Sequence, residues 1–285
     1  MTPDQARSPA SAQATSVGSP ANAGSPANAG SPASAGVSRL SGRRAVVTGA
    51  GRGLGRAVAW RLAAEGAGVV AADLNAEDLE QTVAGSPAGG AIVPAVADCS
   101  RRDGLEQVFD ACATLGGVAD ALVNNAAVLS GGPVTDVAEE EIERVLRVNT
   151  IGPMLATTAF ARRLVAAGAP GAVVNIASTT AHIASLPGLS TYAASKGAVL
   201  AYTRAAAADL ARYGIRVNAV SPGWIRTAMT SGIDDESDAP LLRRIPMRRP
   251  AEPAEIAAAV VWLLADDAGY VTGTSMAVDG GWLGY

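Results

Sequence analysis

A tyrosine and a lysine stand four residues apart in the stretch STYAASKGA, at Tyr192 and Lys196. Residues at this spacing lie on one face of a helix, so the phenol and the ammonium would emerge side by side. Lys196 is the only lysine among 22 basic residues, which indicates that this position requires an ammonium. An ammonium favours the ionised form of a nearby phenol, whose pKa is ordinarily about 10. The pair therefore predicts a general acid or base.

A glycine-rich stretch, TGAGRGLG at residues 48–55, follows a short apolar run and precedes a helix-like segment that starts near Arg56. Glycines allow a tight turn there, and they let backbone N–H groups approach a pyrophosphate at a helix N-terminus. Because the stretch lies between a predicted strand and a predicted helix, it indicates a dinucleotide site. A merely structural turn is the alternative.

An acidic residue, Asp73, ends the second apolar run 18 residues after Gly55. A carboxylate in that place accepts hydrogen bonds from the adenosine ribose and repels a 2′-phosphate, which favours NAD. Arg52, in the glycine turn, could instead pair with a 2′-phosphate, so NADP stays possible. Asp73 could also cap the next helix, and this is compatible with either cofactor.

The elements that must position these residues are short apolar runs that alternate with segments rich in Ala, Leu, Glu and Arg. Such alternation predicts parallel strands covered by helices on both faces. We expect one α/β domain over residues 39–285, a Rossmann-like doubly wound parallel sheet of about seven strands. The runs lie at residues 45–48, 68–72, 91–97, 121–124, 172–176, 216–220 and 275–278.

Residues 1–38 differ in composition from the rest of the chain. They contain the near-repeats SPANAG, SPANAG and SPASAG at residues 19–36. Nothing in them is bulky enough to build a core, and Pro and Gly recur too often for a helix. We expect a disordered low-complexity tail.

Composition argues against several other classes of protein. The net charge of −4 and the lack of a basic stripe argue against nucleic-acid binding, and no apolar run is long enough to span a membrane. Two cysteines, Cys99 and Cys112, favour a reducing cytoplasm over a disulfide framework. With a single histidine, they also argue against a catalytic zinc or another metal centre.

Six motifs together resemble the classical short-chain dehydrogenases/reductases, and they occur in the family's order over the whole chain after the tail. The resemblance implies an oxidoreductase that transfers a hydride between a nicotinamide cofactor and a secondary alcohol or ketone. The motifs are TGAGRGLG at 48–55, NNAA at 124–127, VN at 148–149, NIAS at 175–178, YAASK at 192–196 and SPGWIRT at 221–227.

The resemblance assigns four catalytic residues. Tyr192 would exchange a proton with the substrate, and Ser178 would hydrogen-bond the substrate oxygen. Asn149 would hold a water that links Lys196 to solvent, and Lys196 would also bind the nicotinamide ribose. Ser178 lies 14 residues before Tyr192, where many relatives have 13, so Thr179 is an alternative hydroxyl. Each of the two has a purely structural alternative: Ser178 could cap the end of a strand, and Asn149 could hydrogen-bond a helix backbone carbonyl.

The same resemblance implies a set of cofactor contacts from the glycine turn, the strand ends and the segment after the sixth strand. They are Gly49, Arg52, Gly53, Leu54, Gly55, Asp73, Asp98, Cys99, Asn124, Asn125, Ala126, Tyr192, Lys196, Pro222, Gly223, Ile225 and Thr227.

Substrate and partners are less sharply indicated. Residues 228–249 are expected to form a lid over a partly apolar small-molecule substrate, and His182 could touch that substrate or only pack. Relatives pair helices across two-fold axes, so a homotetramer is expected and a dimer is possible. Two other functions stay open: an NADPH-dependent reductase of 3-oxoacyl thioesters of acyl carrier protein or CoA, and a catalytically silent nucleotide sensor.

Overall fold

The computed structural model describes residues 39–87, 91–183, 186–227 and 241–284. All of these belong to one structural unit, Val37–Tyr285. The predicted tail at residues 1–38 and most of the predicted lid, residues 228–240, lie outside the described residues.

The described residues form a seven-stranded sheet, in which every neighbouring pair of strands is parallel. The strand order is β3-β2-β1-β4-β5-β6-β7. All seven strands predicted from the apolar runs are confirmed, each end within two residues. The strands are β1 (Arg44–Thr48), β2 (Gly68–Asp73), β3 (Ile92–Val96), β4 (Ala121–Asn124), β5 (Gly171–Ile176), β6 (Ile215–Pro222) and β7 (Ser275–Val278).

Seven α-helices connect and cover these strands within the described part of the chain. They are α1 (Gly53–Ala64), α2 (Ala76–Ala84), α3 (Arg102–Asp110), α4 (Glu139–Leu146), α5 (Gly152–Ala167), α6 (Ser190–Leu210) and α7 (Pro253–Leu264). In the described ranges, none of these helices has both the length and the apolar character needed to cross a membrane.

The sheet is buried on both faces because adjacent residues of a strand point to opposite sides. Val47 of β1 packs in one core with α1 and α7. Its neighbour Val46 packs in a second core with α3, α5 and α6. Both valines are fully buried, which explains why the strands read as continuous apolar runs instead of alternating ones.

The strand order reverses between β1 and β4, on either side of which the chain winds in opposite directions. In open parallel sheets a crevice forms at such a point, at the carboxyl ends of the strands. The residues that follow β1, β2, β4 and β5 therefore converge on one crevice, and the site lies there.

Candidate active site

The glycine turn after β1 packs directly on the end of β4. Gly49 adopts a left-handed conformation, with φ of 65°, and a Cβ there would lie 2.8 Å from the Cα of Ala126. A Cβ on Gly55 would overlap the carbonyl oxygen of Gly49. Only glycine fits either position, so the turn is built for close approach of backbone to backbone. Its N–H groups open at the N-terminus of α1, where an anion is favoured.

Asp73 is held at the mouth of the crevice by two backbone donors. Its carboxylate accepts hydrogen bonds from Gly51 N at 2.9 Å and from Asn75 N at 3.1 Å. The helix cap predicted as the alternative falls instead to Asn75, whose side chain accepts from Asp78 N at 3.1 Å. Asp73 thus joins the end of β2 to the glycine turn.

Two arginines, Arg52 within this turn and Arg56 directly after it, make different contacts. Arg52 is exposed, and its guanidinium makes no hydrogen bond or ion pair with any described residue. Arg56 donates to the carbonyl of Gly51 and, at 3.0 Å, to Thr82 Oγ1 of α2. Sequence reasoning missed Arg56, because its partner on α2 becomes visible only when the helices are packed. Arg56 thus holds the glycine turn against α2, whereas the guanidinium of Arg52 faces solvent.

The floor of the crevice is the end of β4. Asn125 donates through its side chain to the carbonyls of Thr48 and Gly49, at 3.0 and 2.9 Å. Asn124 points into the layer beneath, where its amide donates to Asn175 Oδ1 at 2.8 Å. Asn124 is 3% exposed, and its Oδ1 has no hydrogen-bond partner among the described residues. Asn124 would therefore act on a bound cofactor indirectly, by fixing the position of the end of β4.

One cavity of about 500 Å³ gathers the predicted site residues. The volume lies within the range typical of ligand sites, roughly 300–1,000 Å³. Every predicted catalytic and cofactor-binding residue lines the cavity except Asn149. At the end of the cavity that Asp73 lines, Asp98 accepts from Ser100 N at 2.9 Å, and burial raises the pKa of the Cys99 thiol to about 12. Cys99 is therefore a neutral wall of the cavity.

At the other end of the cavity lie Ser178 and the first turns of α6. Ser178 lies two residues after the end of β5 and lines the cavity together with Tyr192. Thr179, the alternative hydroxyl, is 2% exposed and does not line the cavity. The structure thus places Ser178, and not Thr179, in the cavity that the phenol lines.

Lys196 is buried, with 2% of its surface exposed. Its Nζ lies 5.7 Å from the centroid of the Tyr192 ring and donates to the carbonyl of Ile176 at 2.8 Å. Burial lowers the pKa of Lys196 from 10.5 to about 8. Burial also raises the pKa of Tyr192, against the smaller opposing effect of the hydrogen bond with Ser178. The expected lowering by the ammonium does not dominate, because both groups are desolvated.

Asn149 lies in a π-helical turn, Arg147–Ile151, between α4 and α5. Its side chain accepts from Val128 N at 2.8 Å and donates to Val128 O at 2.9 Å and to Ser195 Oγ at 3.1 Å. Ser195 lies between Tyr192 and Lys196, and its hydroxyl donates to Tyr192 O at 2.7 Å. The Asn149 amide therefore joins Val128, in the segment after β4, to Ser195 of α6, which leaves little capacity for the water that the sequence predicted at this side chain.

His182 does not line the cavity. Its Nε2 lies 3.1 Å from Ser221 Oγ, which in turn lies 2.9 Å from Ser275 Oγ. The ring thus links the turn after β5 to the ends of β6 and β7. Across the described ranges, no group of three or more His, Cys, Asp or Glu side chains is placed to hold a metal ion.

Comparison with known proteins agrees with this geometry. Residues 49–283 match a family model described as enoyl-(acyl carrier protein) reductase. The chain is 36% identical over 252 residues to (3R)-3-hydroxyacyl-CoA dehydrogenase of Mus musculus, covering 85% of this chain and 97% of the relative. It is 39% identical over 250 residues to 2,5-dichloro-2,5-cyclohexadiene-1,4-diol dehydrogenase of Sphingobium indicum, covering 86% and 98%.

A solved structure from Agrobacterium tumefaciens with bound NADP, described as a proposed 2-deoxy-D-gluconate 3-dehydrogenase, has a TM-score of 0.80. It is 36% identical and covers 88% of this chain and 100% of its own. Sequence, fold and site geometry therefore lead to one conclusion: the chain belongs to the classical short-chain dehydrogenase/reductase family, whose members are NAD(P)-dependent oxidoreductases acting on CH–OH groups.

Proposed function

We propose that Tyr192 is the general acid and base of this oxidoreductase, that Ser178 orients the substrate oxygen, and that NAD is the preferred cofactor. The observation that carries the proposal is one continuous cavity. Its first end holds the glycine turn and Asp73, and its second end holds Ser178 and Tyr192. The glycine turn and Asp73 would hold the adenosine part of a bound dinucleotide, and Ser178 and Tyr192 would face its nicotinamide.

When bound in this cavity, a nicotinamide cofactor would supply or accept the hydride of the reaction. In the direction of reduction, Ser178 donates a hydrogen bond to the ketone oxygen, and Tyr192 gives its proton to the same oxygen as charge develops there. The raised pKa of Tyr192 keeps the phenol protonated at neutral pH, which is the form that this step needs. In the direction of oxidation, Tyr192 must first lose its proton, so this direction is favoured at alkaline pH.

Lys196 uses one of its three donors on the carbonyl of Ile176 and keeps the others for ribose hydroxyls and the phenol side of the cavity. A guanidinium is wider and planar, and it could not occupy this buried place beside the Tyr192 ring with the same contacts. The isolated lysine of the sequence thus has a structural reason.

The preference for NAD rests on Asp73. Its carboxylate is held toward the adenosine end by Gly51 N, and a ribose 2′-phosphate placed there would meet its negative charge. Arg52 makes no pair among the described residues and could offset part of that repulsion. We expect NADP to bind, but more weakly, and the NADP-bound relative is compatible with such tolerance.

A second candidate activity is reduction of 3-oxoacyl thioesters. It is favoured by the mouse relative, whose name gives a 3-hydroxyacyl-CoA as its substrate. The proposal also includes assembly into a homotetramer, or a dimer, in the cytoplasm. The support for assembly is a row of small exposed residues along one side of α6, made of Ala194, Ala201, Ala205 and Ala208. Light scattering coupled to gel filtration measures that assembly.

The test of the proposed function begins with fluorescence titrations of the purified protein with NADH and with NADPH. Binding of NADH at least about tenfold tighter, equivalent to about 1.4 kcal/mol, supports Asp73 as the selector. Tighter binding of NADPH would overturn the preference for NAD and move thioester reduction to first place. Initial rates are then measured with acetoacetyl-CoA, a 3-ketosteroid, a cyclic diol and a sugar acid. Nucleotide binding without turnover of any of these would favour the nucleotide sensor.

A further inference from the structure

Thr180 is the second residue after Ser178, in the 3₁₀ turn Thr179–Ala181. Its hydroxyl donates to Ser178 Oγ at 2.9 Å, and its backbone N–H donates to the same oxygen at 3.2 Å. Thr180 does not line the cavity, so its contact with the site runs through Ser178. Thr180 lies outside the six sequence motifs.

The two donors settle the direction of the Ser178 hydroxyl. A serine oxygen has two acceptor positions and one proton. With both acceptor positions taken by Thr180, the proton of Ser178 must point elsewhere, and Ser178 lines the cavity together with the Tyr192 phenol. Ser178 is thereby held as a donor toward the place where the substrate oxygen would bind.

The hydroxyl of Thr180 is not needed to close the turn. The backbone N–H already satisfies the cap at Ser178, as a serine side chain commonly does at the start of a helical turn. The second bond, from the hydroxyl, adds polarisation, because a hydroxyl that accepts a hydrogen bond becomes a stronger donor. A chain of donors would then run from Thr180 through Ser178 to the phenol.

We infer that Thr180 is a positioning residue, which orients the Ser178 hydroxyl and strengthens it as a donor to the reacting oxygen. The inference rests on the proposed function, since it gives Ser178 a role in the reaction. The charged group beside the phenol is the Lys196 ammonium, which lies 5.7 Å from the ring centroid and donates to the carbonyl of Ile176. His182, on the same turn as Thr180, is engaged with Ser221.

The matched variants are Thr180→Val, which removes the hydroxyl at nearly constant volume, and Thr180→Ser, which keeps it. Thr114→Val is the control, because Thr114 donates only to Ala111 O at 2.7 Å in an exposed turn outside the cavity. We expect Thr180→Val to lower kcat roughly 3- to 10-fold, as loss of one hydrogen bond does, with little change in KM. Thr180→Ser should restore most of the loss, and Thr114→Val should match the parent.

The pH profile distinguishes this role from a structural one. Ser178 stabilises tyrosinate, so a weakened Ser178 leaves the pKa of Tyr192 higher than in the parent. For alcohol oxidation, the limb on which kcat/KM rises with pH should therefore move to higher pH in Thr180→Val and return in Thr180→Ser. The inference would be overturned if Thr180→Val lowered kcat without moving the rising limb of the kcat/KM–pH profile. Equal rates in the parent, Thr180→Val and Thr180→Ser would also overturn it.

A measurement that needs no turnover separates this inference from the proposed function. The protein is labelled with [13Cζ]tyrosine, and its ring-carbon signals are titrated with pH, with Tyr192→Phe identifying the signal of interest. A higher titration midpoint in Thr180→Val than in the parent and in Thr180→Ser supports the chain of donors. An unchanged midpoint contradicts it, whatever substrates the enzyme accepts.

Discussion

Replacing Lys196 by methionine exchanges a buried ammonium for an apolar chain of similar length. A fall in pKa from 10.5 to about 8 means that burial of the charged form costs about 3 kcal/mol at neutral pH, since each pKa unit is worth about 1.4 kcal/mol. Methionine does not carry that cost but forfeits the hydrogen bond to Ile176 O, worth about 1 kcal/mol. We expect Lys196→Met to raise the free energy of unfolding at pH 7 by about 1–3 kcal/mol while removing activity.

The difference in the free energy of unfolding between Lys196→Met and the parent should decrease as pH rises above about 8. Between about pH 8 and 10.5 the native protein has released the Lys196 proton and the unfolded chain still holds it. The unfolded state then binds more protons, so the parent becomes more stable as pH rises through this window. Lys196→Met lacks this titration, and its advantage should therefore shrink between pH 8 and pH 10.

The assay is urea unfolding of both proteins at pH 7, 8.5 and 10, followed by far-ultraviolet circular dichroism at one protein concentration. Lys196→Arg serves as the matched control, because it keeps a charge in the buried place and should lose stability. If Lys196→Met were less stable than the parent at pH 7, or if the difference between them did not change with pH, the reasoning about burial would be refuted.

Three further predictions follow from the site. Gly55→Ala should abolish binding of both NADH and NADPH in fluorescence titrations, because its methyl group would overlap a carbonyl of the glycine turn; retained binding would show that the turn can yield. Asp73→Ser should move the ratio of the two dissociation constants about tenfold toward NADPH, and an unchanged ratio would exclude Asp73 as the selector. His182→Ala should lower the free energy of unfolding by about 1 kcal/mol, with His182→Gln retaining most of it, because the ring bonds the end of β6; equal losses in urea unfolding would argue against that bond.

The sheet and the cavity could be predicted from the sequence for a physical reason. Strands buried on both faces leave continuous apolar runs, and a parallel sheet brings their carboxyl ends to one edge. The residues after those runs, such as Asp73 and Ser178, therefore had to meet. The choice of Ser178 over Thr179 also followed, because the hydroxyl nearest the strand end faces the crevice.

Other features depended on packing that no local pattern reveals. Asn149 lies in a π-helical turn, which changes the helix register and commits its amide to Val128 and Ser195. The hydrogen bond from Arg56 to Thr82 depends on how α2 packs against α1. The direction of the shift in the pKa of Tyr192 depends on burial of the phenol, which the spacing of the motif does not contain.

The most direct test of the central claim compares Tyr192→Phe with the parent in the same two assays, nucleotide titration and turnover of the best substrate of the set. The account predicts that NADH binds the variant with a dissociation constant within about twofold of the parent's, while kcat falls roughly 10²- to 10⁴-fold, the contribution expected of a general acid. Turnover by Tyr192→Phe at the parent's rate would contradict the assignment of Tyr192 as the proton donor.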